Sequence, residues 1–542
     1  MKFLMLVTMS GVAILTCLKK RREVLIRNMG IPSYYKRLID RFPRLVQKGV
    51  TLTSDVLLMD FNCLIYQCIR GEGLPTYTQA NRLIWEAAVI EAVKEYTVKV
   101  WGAAGKPGKV FIGVDGVVPM AKIRQQRLRR FKSRWLAAAE TEAGVRKPGE
   151  ESWDTNAITP GTEFMESLAR GLRSLVAARP GWTLSAADEA GEGEQKLMAW
   201  VRNHRTELAG KQVTVYGLDA DLIVLSLIGL AREVPAVGGW RLLRELAEFE
   251  GRRAGESFGA LDVAQLLIVL CPAEMKPEEY ILEYACGMSF LGNDFLPHSL
   301  SVKMREGGHE TLCKTLAAVH ARGLRLVKDG RVQRDGCLDL VRRWMADEAM
   351  NISDSFEHKY KMRPMPPKTD RERLMMHVEN LPIEWEAEKV LWGRHRGLAA
   401  GWQETYRREW LQEGDVKAIC LEYARGLQWI LDYYLGKPVS YAWYFPWNLP
   451  PLWVDLEQEF LRAEPVVAPV ASSPVAPQEQ LAMVLPMESW WLVRDTRLRC
   501  LPGKATIFWP ARFGFFSVGR RWLWECEAVV PILTMERMRE ML

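Results

Sequence analysis

Acidic residues placed directly after short apolar runs are the feature that most constrains the fold of this 542-residue chain. Each run is rich in Val, Ile or Leu, as a buried strand is. Between the first two runs, apolar residues at helical spacing predict a crossover helix: Leu83, Ala87, Ile90 and Val93. The repeated strand–acid–helix order predicts an α/β domain with a mostly parallel sheet flanked by helices. The runs are Val56–Met59 before Asp60, Val110–Val114 before Asp115 and Val213–Tyr216 before Asp219.

The carboxylates of these units, with those of further short motifs, predict a metal site. In open α/β sheets, ligands collect at the carboxyl ends of the strands, which is where these aspartates fall. Buried acids are costly unless a positive group neutralises them, and Mg²⁺ or Mn²⁺ suits an all-oxygen site. Two such ions about 4 Å apart can clamp a phosphodiester, whereas the alternative is that each acid only caps a helix. The seven candidate acids are Asp60, Asp115, Glu192, Glu194, Asp219, Asp221 and Asp294.

A basic helix is predicted directly after the second of these strands. Seven basic residues and no acidic one lie between Lys122 and Arg134. Four polar side chains there fall at i, i+4, i+7 and i+8, on one helix face, and predict a phosphate pocket. The alternative is a solvated basic face or a charge run that serves as a targeting signal. The four residues are Lys122, Gln126, Arg129 and Arg130.

Composition narrows the class of protein. With 48% hydrophobic and 26% charged residues, the chain is globular and is not mainly disordered, collagen-like or a multi-span membrane protein. The formal net charge of +7 favours no partner by itself. The ten cysteines form no C-x-x-C pair, which favours reduced thiols in the cytoplasm or nucleus, with the cytoplasm preferred. No stable membrane partner is expected.

Four segments are predicted along the chain. Residues 1–28 form an extension whose uncharged run, Phe3–Leu18, is short for a membrane span and is followed by four basic residues. Residues 29–326 form the α/β domain, and the more polar residues 327–380 form a connector. An aromatic-rich region, 381–542, is expected to pack on the α/β domain, and its Pro/Ala-rich stretch, 464–478, is expected to be a flexible loop.

Several longer motifs resemble the Xrn-type 5′-to-3′ exoribonucleases, in the order in which that family has them. The resemblance covers most of residues 29–542 and becomes patchier after residue 300. In the first region it rests on Met29–Tyr35, Met59–Asn62, Val114–Lys122, Gln125–Phe131, Asn156–Met165, Gly191–Glu194, Tyr216–Ile223 and Leu291–His298. In the second it rests chiefly on Gly426–Tyr434 and Trp443–Pro446.

The resemblance implies a nuclease-superfamily domain with two divalent metal ions, Mg²⁺ or Mn²⁺. Such an enzyme would degrade single-stranded RNA with a 5′-monophosphate processively to nucleoside 5′-monophosphates. By motif, the seven acids would be the catalytic residues and metal ligands, and the four residues of the basic helix would hold the 5′-phosphate. Asn62 is expected to contact RNA.

The chain departs from the family at Tyr66, where a histidine is usual. In the family that side chain stacks on the terminal bases together with a tryptophan, for which Trp443 is the candidate. Tyrosine also offers a π-face, so stacking is expected to survive. Two alternative functions stay open: a structure-specific DNA flap or 5′-nuclease, and an inactive RNA-binding or scaffold protein that retains the fold.

Overall fold

The protein is described by a computed structural model. It describes residues 34–542 apart from 50, 72, 147–148, 150, 246–257, 363–365, 368, 393–396, 412–414 and 463–465. The predicted extension, residues 1–28, and its apolar run therefore lie outside the described residues. Within the described ranges, no helix is both long and apolar enough to cross a membrane.

A seven-stranded sheet forms the centre of the described N-terminal region. Its strands are β1 (Val46–Lys48), β2 (Val56–Asp60), β3 (Lys109–Gly113), β4 (Trp182–Ser185), β5 (Gln212–Tyr216), β6 (Gly239–Glu245) and β7 (Phe258–Asp262). The spatial order is β1-β7-β6-β5-β2-β3-β4. Strands β6, β5, β2, β3 and β4 pair in parallel, while β7 is antiparallel to both of its neighbours. The predicted mostly parallel α/β sheet is confirmed.

Helices cover both faces of this sheet because the strands are apolar on both sides. Alternate residues of β2 enter two different apolar cores, Leu58 on one face and Leu57 with Met59 on the other. The helices described in this region are α1 (Tyr34–Arg41), α2 (Asn62–Arg70), α3 (Arg82–Ala103), α4 (Met120–Glu142), α5 (Glu163–Ala177), α6 (Gly193–Asn203), α7 (Asp221–Ile228), α8 (Val263–Leu270), α9 (Pro277–Leu291) and α10 (Gly308–His320).

The crossover helix between β2 and β3 exists, but its buried face differs from the predicted one. Ile90 and Val93 are buried as predicted, but Leu83 (68% exposed) and Ala87 are exposed, and Trp85 and Val89 take their place on the buried face. The Trp85 indole donates to the carbonyl of Pro75, and its ring lies 5.2 Å from that of Trp153. These contacts fix which face of the helix is buried. They join residues that are distant in sequence, so the spacing of apolar residues within the helix could not predict them.

The second region is helical and packs against the sheet domain. Its elements are α11 (Arg334–Met345), α12 (Glu348–Lys361), α13 (Asp370–Glu384), α14 (Trp402–Tyr406), α15 (Val416–Tyr434), α16 (Trp453–Arg462), α17 (Pro477–Val484), α18 (Leu501–Lys504) and α19 (Met535–Met541), with the two-stranded ribbons β8 (Val327–Lys328) with β9 (Arg331–Val332) and β10 (Gly514–Phe516) with β11 (Glu527–Val529). The ring of Trp429 on α15 lies 5.2 Å from that of Phe295 in the first region. The two regions thus share one apolar core.

The segment predicted as a connector, 327–380, contains α11, α12 and most of α13. Leu340 and Trp344 of α11 and Phe356 of α12 are buried in the core shared by the two regions. Its polar residues therefore cover helices that belong to the core. In the predicted loop 464–478, residues 466–476 form no helix or strand, and α17 begins at Pro477.

Candidate active site

Three of the predicted acids meet at one edge of the sheet because β2 lies between β5 and β3. Asp60 is the last residue of β2, and Asp115 and Asp219 follow the ends of β3 and β5. The chain moves from β2 outward to β3 and β4, and then returns to β5 on the other side of β2. This reversal makes a crevice at the carboxyl ends of β2 and β5, the usual ligand site in such sheets.

The Glu192–Glu194 pair is brought to the same edge by the start of α6. Glu192 precedes the helix and Glu194 lies in its first turn. The Gly193 N–H donates to Asp115 Oδ1 over 2.7 Å. A Cβ on Gly193 would lie 2.5 Å from Asp60 Oδ1, so only glycine permits this approach. Backbone contact therefore joins the glutamate pair to the two strand aspartates.

Lys122 provides a positive charge inside this acidic cluster. Its ammonium Nζ lies 2.7 Å from Glu192 Oε1 and 2.7 Å from Asp294 Oδ2. Burial alone would lower the pKa of Lys122, but the surrounding carboxylates outweigh burial and raise that pKa well above its ordinary value. Lys122 thus stays charged and joins α4 to the loop that follows α9.

One ammonium does not neutralise this many acids. Glu194 Oε1 and both carboxylate oxygens of Asp221 are buried without a hydrogen-bond partner. Burial and neighbouring carboxylates raise the pKa of Asp60, Glu194 and Asp221 well above the ordinary range. Burial also raises the pKa of Asp219, to about 6. The cluster therefore holds more acids than Lys122 can neutralise, and several of their oxygens are free to bind a cation.

These residues fit a hard divalent cation in chemical type. Oxygen-only donors with unsatisfied lone pairs are what Mg²⁺ and Mn²⁺ use. With the side chains as they stand, no three His, Cys, Asp or Glu residues in the described ranges are arranged to hold one ion. The Lys122 ammonium lies between two of the carboxylates that such an ion would use.

The basic helix α4 presents a second unsatisfied group of side chains. Lys122, Gln126 and Arg130 are each 8% exposed, and Gln126 Oε1 and Arg130 Nη1 are buried without a hydrogen-bond partner. Burial lowers the pKa of Arg130 to about 10, so its guanidinium remains charged at neutral pH. Arg129, the fourth predicted phosphate ligand, lines a cavity on another side of the helix.

The residues predicted to contact RNA, Tyr66, Trp443 and Asn62, each contact other side chains of the protein. Tyr66 is half-buried, with the Arg70 guanidinium 5.7 Å from its ring centroid. Trp443 is 7% exposed, donates to Glu422 Oε2 over 3.0 Å, and packs 5.1 Å from the Trp429 ring. The Asn62 Nδ2 donates to Asp115 Oδ2 over 2.9 Å, and its Oδ1 accepts from the Asp115 N–H. Asn62 therefore orients a site carboxylate.

Two tyrosines of α15 belong to the site, although no role was predicted for them. The Tyr433 hydroxyl donates to Glu192 Oε2 over 2.7 Å. The Tyr434 hydroxyl is buried without a hydrogen-bond partner, and burial followed by the charges of Asp221 and Glu194 raises its pKa well above the ordinary value. Both tyrosines lie in the motif Gly426–Tyr434, which resembles the family, and this motif was the only hint of a role that the sequence offered. Nothing in the local sequence indicates that α15 reaches the acids.

Comparison with known proteins agrees with this arrangement. Residues 29–237 match the family described as "XRN 5'-3' exonuclease N-terminus", and residues 386–542 match "Xrn1 helical domain". The chain is 26% identical to the "5'-3' exoribonuclease 2" of Arabidopsis thaliana, over 94% of this chain and 67% of that protein. It is 30% identical to the protein of that name from Eremothecium gossypii, over 64% of this chain and 44% of that protein.

The chain also resembles the human "5'-3' exoribonuclease 1", with 26% identity over 94% of this chain but only 34% of that protein's length. The two family matches together cover more than half of the chain, in family order, and the first contains all but one of the acids that converge at the sheet edge. The chain therefore belongs to the Xrn family of 5′-3′ exonucleases.

Proposed function

We propose that this chain is a processive 5′-to-3′ exoribonuclease that degrades single-stranded RNA with a 5′-monophosphate to nucleoside 5′-monophosphates. The observation that carries the proposal is that two neighbouring groups of buried side chains lack partners of opposite charge. Buried carboxylate oxygens lack a positive partner, and buried polar groups of α4 lack an anionic one. Three relatives named as 5′-3′ exoribonucleases support the RNA substrate.

Two divalent ions, Mg²⁺ or Mn²⁺, are the proposed cofactors. When bound, such ions generate the nucleophilic hydroxide and neutralise charge on the scissile phosphate. The residues that would hold them directly, or orient the residues that do, are Asp60, Asp115, Glu192, Glu194, Asp219, Asp221 and Asp294. Since burial raises the pKa of several of these acids, cation binding is expected to release protons.

The protein's own groups would position the RNA. Gln126 and Arg130 would donate to the terminal phosphate, with Lys122 at the boundary between that phosphate and the acids. Arg129 would contribute from the adjacent side of the helix. A pocket for one monophosphate beside the acids would place the bond after the first nucleotide at the acids, so that one nucleotide is released at a time. Such a pocket would also disfavour a cap or a triphosphate at the 5′ end.

Tyr66 and Trp443 are proposed to stack on the terminal bases, Tyr66 from the half-buried surface of α2. Trp443 would need to leave part of its packing with Trp429 to do so, which makes Tyr66 the stronger of the two. Cytoplasmic or nuclear location stays a prediction.

Purified protein with Mg²⁺ should be incubated with matched RNAs carrying a 5′-monophosphate, triphosphate or hydroxyl, and with the corresponding 5′-phosphorylated DNA and a DNA flap. We expect rapid release of nucleoside monophosphates from the 5′-monophosphate RNA alone. Preferred cleavage of the flap would support a DNA nuclease instead. RNA binding without hydrolysis of any substrate would support an inactive scaffold.

A further inference from the structure

A separate cavity lies against another side of α4. Its volume is about 370 Å³, within the range of small-molecule sites. Its walls come from α4, the loop that follows α9, the C-terminal half of α12, residues 445–448 and residues 519–527. Asp294 also lines it, so one wall adjoins the acidic cluster.

The cavity has a marked excess of positive charge. Eight Lys or Arg side chains line it against four Asp or Glu side chains, an excess of four charges. Some cations are already paired: Arg305 with Glu525, and Lys359 with Glu388. In the described part of the chain, no ion pair with a carboxylate joins Arg129, Lys132 or Arg520. The four surplus charges therefore reside on these three side chains and on Arg521, which donates to Asn380 Oδ1 and to the Met362 carbonyl.

Arg520 is the most unsatisfied of the three. Its Nε is buried without a hydrogen-bond partner, as are Arg124 Nε and Gln125 Oε1 in the α4 wall of the same cavity. Lys132 at least donates to two backbone carbonyls, those of Trp524 and Cys526, over 2.8 and 2.7 Å. Burial, reinforced by Arg520 and Arg129, lowers the pKa of Lys132 to about 8. Cations that crowd one another in this way are stabilised by a bound anion.

Aromatic rings also line the cavity, and they favour a ligand that carries a planar ring as well as an anionic group. Trp447, Trp522 and Trp524 border the same space. The faces of Trp522 and Trp524 already contact Arg521 and Arg305, at 4.1 and 4.4 Å. The Trp447 ring lies 5.1 Å from that of Phe445. Stacking of a planar base on an aromatic ring contributes about 1–3 kcal/mol to binding.

We propose that this cavity binds one nucleoside 5′-monophosphate, with the phosphate at Arg520 and Lys132 and the base against Trp447. The site is distinct from the proposed 5′-phosphate pocket, since Gln126 and Arg130 do not line it as the described residues are arranged. The choice of a nucleotide rests on the proposed function, of which it is the product. The unpaired cations of the cavity point to an anion whether or not that function holds.

The test is direct binding of AMP, measured by calorimetry on the full chain without RNA or metal. It uses the Arg130→Ala background, which removes the competing pocket. We expect AMP to bind, Arg520→Gln to weaken it about tenfold or more, and adenosine to bind at least about tenfold more weakly than AMP. The matched control is Arg512→Gln, an exposed arginine of the same segment, expected within about twofold. Inorganic phosphate is expected to bind more weakly than AMP.

AMP binding that Arg130→Ala abolishes and Arg520→Gln leaves unchanged would overturn the proposal, since all of it would then belong to the 5′-phosphate pocket. Equal binding of adenosine and AMP would also overturn it. If Arg520→Gln fails to fold by circular dichroism, Gln125→Glu adds a negative charge to the α4 wall of the same cavity and should weaken AMP binding equally. Because no RNA is hydrolysed in this assay, a failure of the proposed nuclease activity would not be mistaken for a failure here.

Discussion

The candidate site has an acidic half, formed by the seven acids, and a basic half, formed by the polar side chains of α4. Each half has buried polar atoms that lack a partner of the opposite charge. In the acidic half, buried oxygens of Glu194 and Asp221 accept no hydrogen bond. In the basic half, Arg130 Nη1 has no acceptor although it is equally buried. Lys122 stands at their boundary and has both of its charged contacts with acids. The protein thus leaves each half incomplete by one kind of charge, which a phosphate with associated cations would supply to both.

The largest expected effect comes from the acidic half. Asp219→Ala or Asp221→Asn should abolish RNA hydrolysis, by about 10³-fold or more in kcat, because the charge stabilisation of the transition state is lost. RNA binding should change little, since the basic half is untouched. Single-turnover kinetics and a binding isotherm measure both, and Asp188→Asn, an exposed acid, is the control.

Turnover within a few-fold of wild type at saturating Mg²⁺ would show that the acids only cap helices. The two halves would then not act on one substrate.

The next effect comes from the basic half and is one of selectivity. Arg130→Ala should reduce kcat/KM for 5′-monophosphate RNA by about 10–100-fold and leave 5′-hydroxyl RNA nearly unchanged, because a charge-assisted phosphate contact is lost. Arg129→Ala should change the preference only a few-fold, since Arg129 lines the other cavity. The double variant should erase the preference.

Measurement at two salt concentrations separates a pocket from a solvated face. A uniform loss for both 5′ ends, with a flatter salt dependence, would indicate the face.

The sequence allowed prediction of the parts of this site that follow from local order along the chain. Acids after Val-rich strands and donors at helical spacing need only the geometry of strands and helices, so Asp60, Asp115 and Asp219 were found. The rotation of α3 depended on Trp85 meeting Trp153, a contact between distant residues. The assignment of Arg129 to a different cavity depended on what packs around α4. Tyr433 could not be assigned because its partner, Glu192, is 241 residues away.

A smaller effect tests the link between the second region and the acidic half. Tyr433→Phe removes one hydroxyl and should lower kcat about 5–10-fold while raising the Mg²⁺ concentration for half-maximal activity, because Glu192 loses its orienting donor. Tyr434→Phe is the matched control, since within the described residues the Tyr434 hydroxyl is buried without a hydrogen-bond partner. Equal effects of the two changes would argue against a specific role for Tyr433.

The last effect concerns stability rather than activity. The folded pKa of Asp219 is about 6 against an ordinary value of 3.8, so without metal this carboxyl destabilises the fold as the pH rises from about 4 to about 6. In EDTA at pH 7.5, Asp219→Asn should therefore raise the free energy of unfolding by about 3 kcal/mol, and the gain should vanish near pH 4. Urea unfolding at several pH values measures this.

Excess Mg²⁺ should reverse the order and favour the wild type. A gain that is independent of pH would contradict the assignment of the raised pKa.

The hydrogen bond between Tyr433 and Glu192 also has a consequence for biosynthesis. At about 5–20 residues per second, a ribosome needs roughly 12–48 s to extend the chain from Glu192 to Tyr433. During that interval Glu192 has been synthesised, but the helix that carries its partner Tyr433 has not. The acidic cluster is therefore completed by a helix, α15, that is synthesised only after the whole first region.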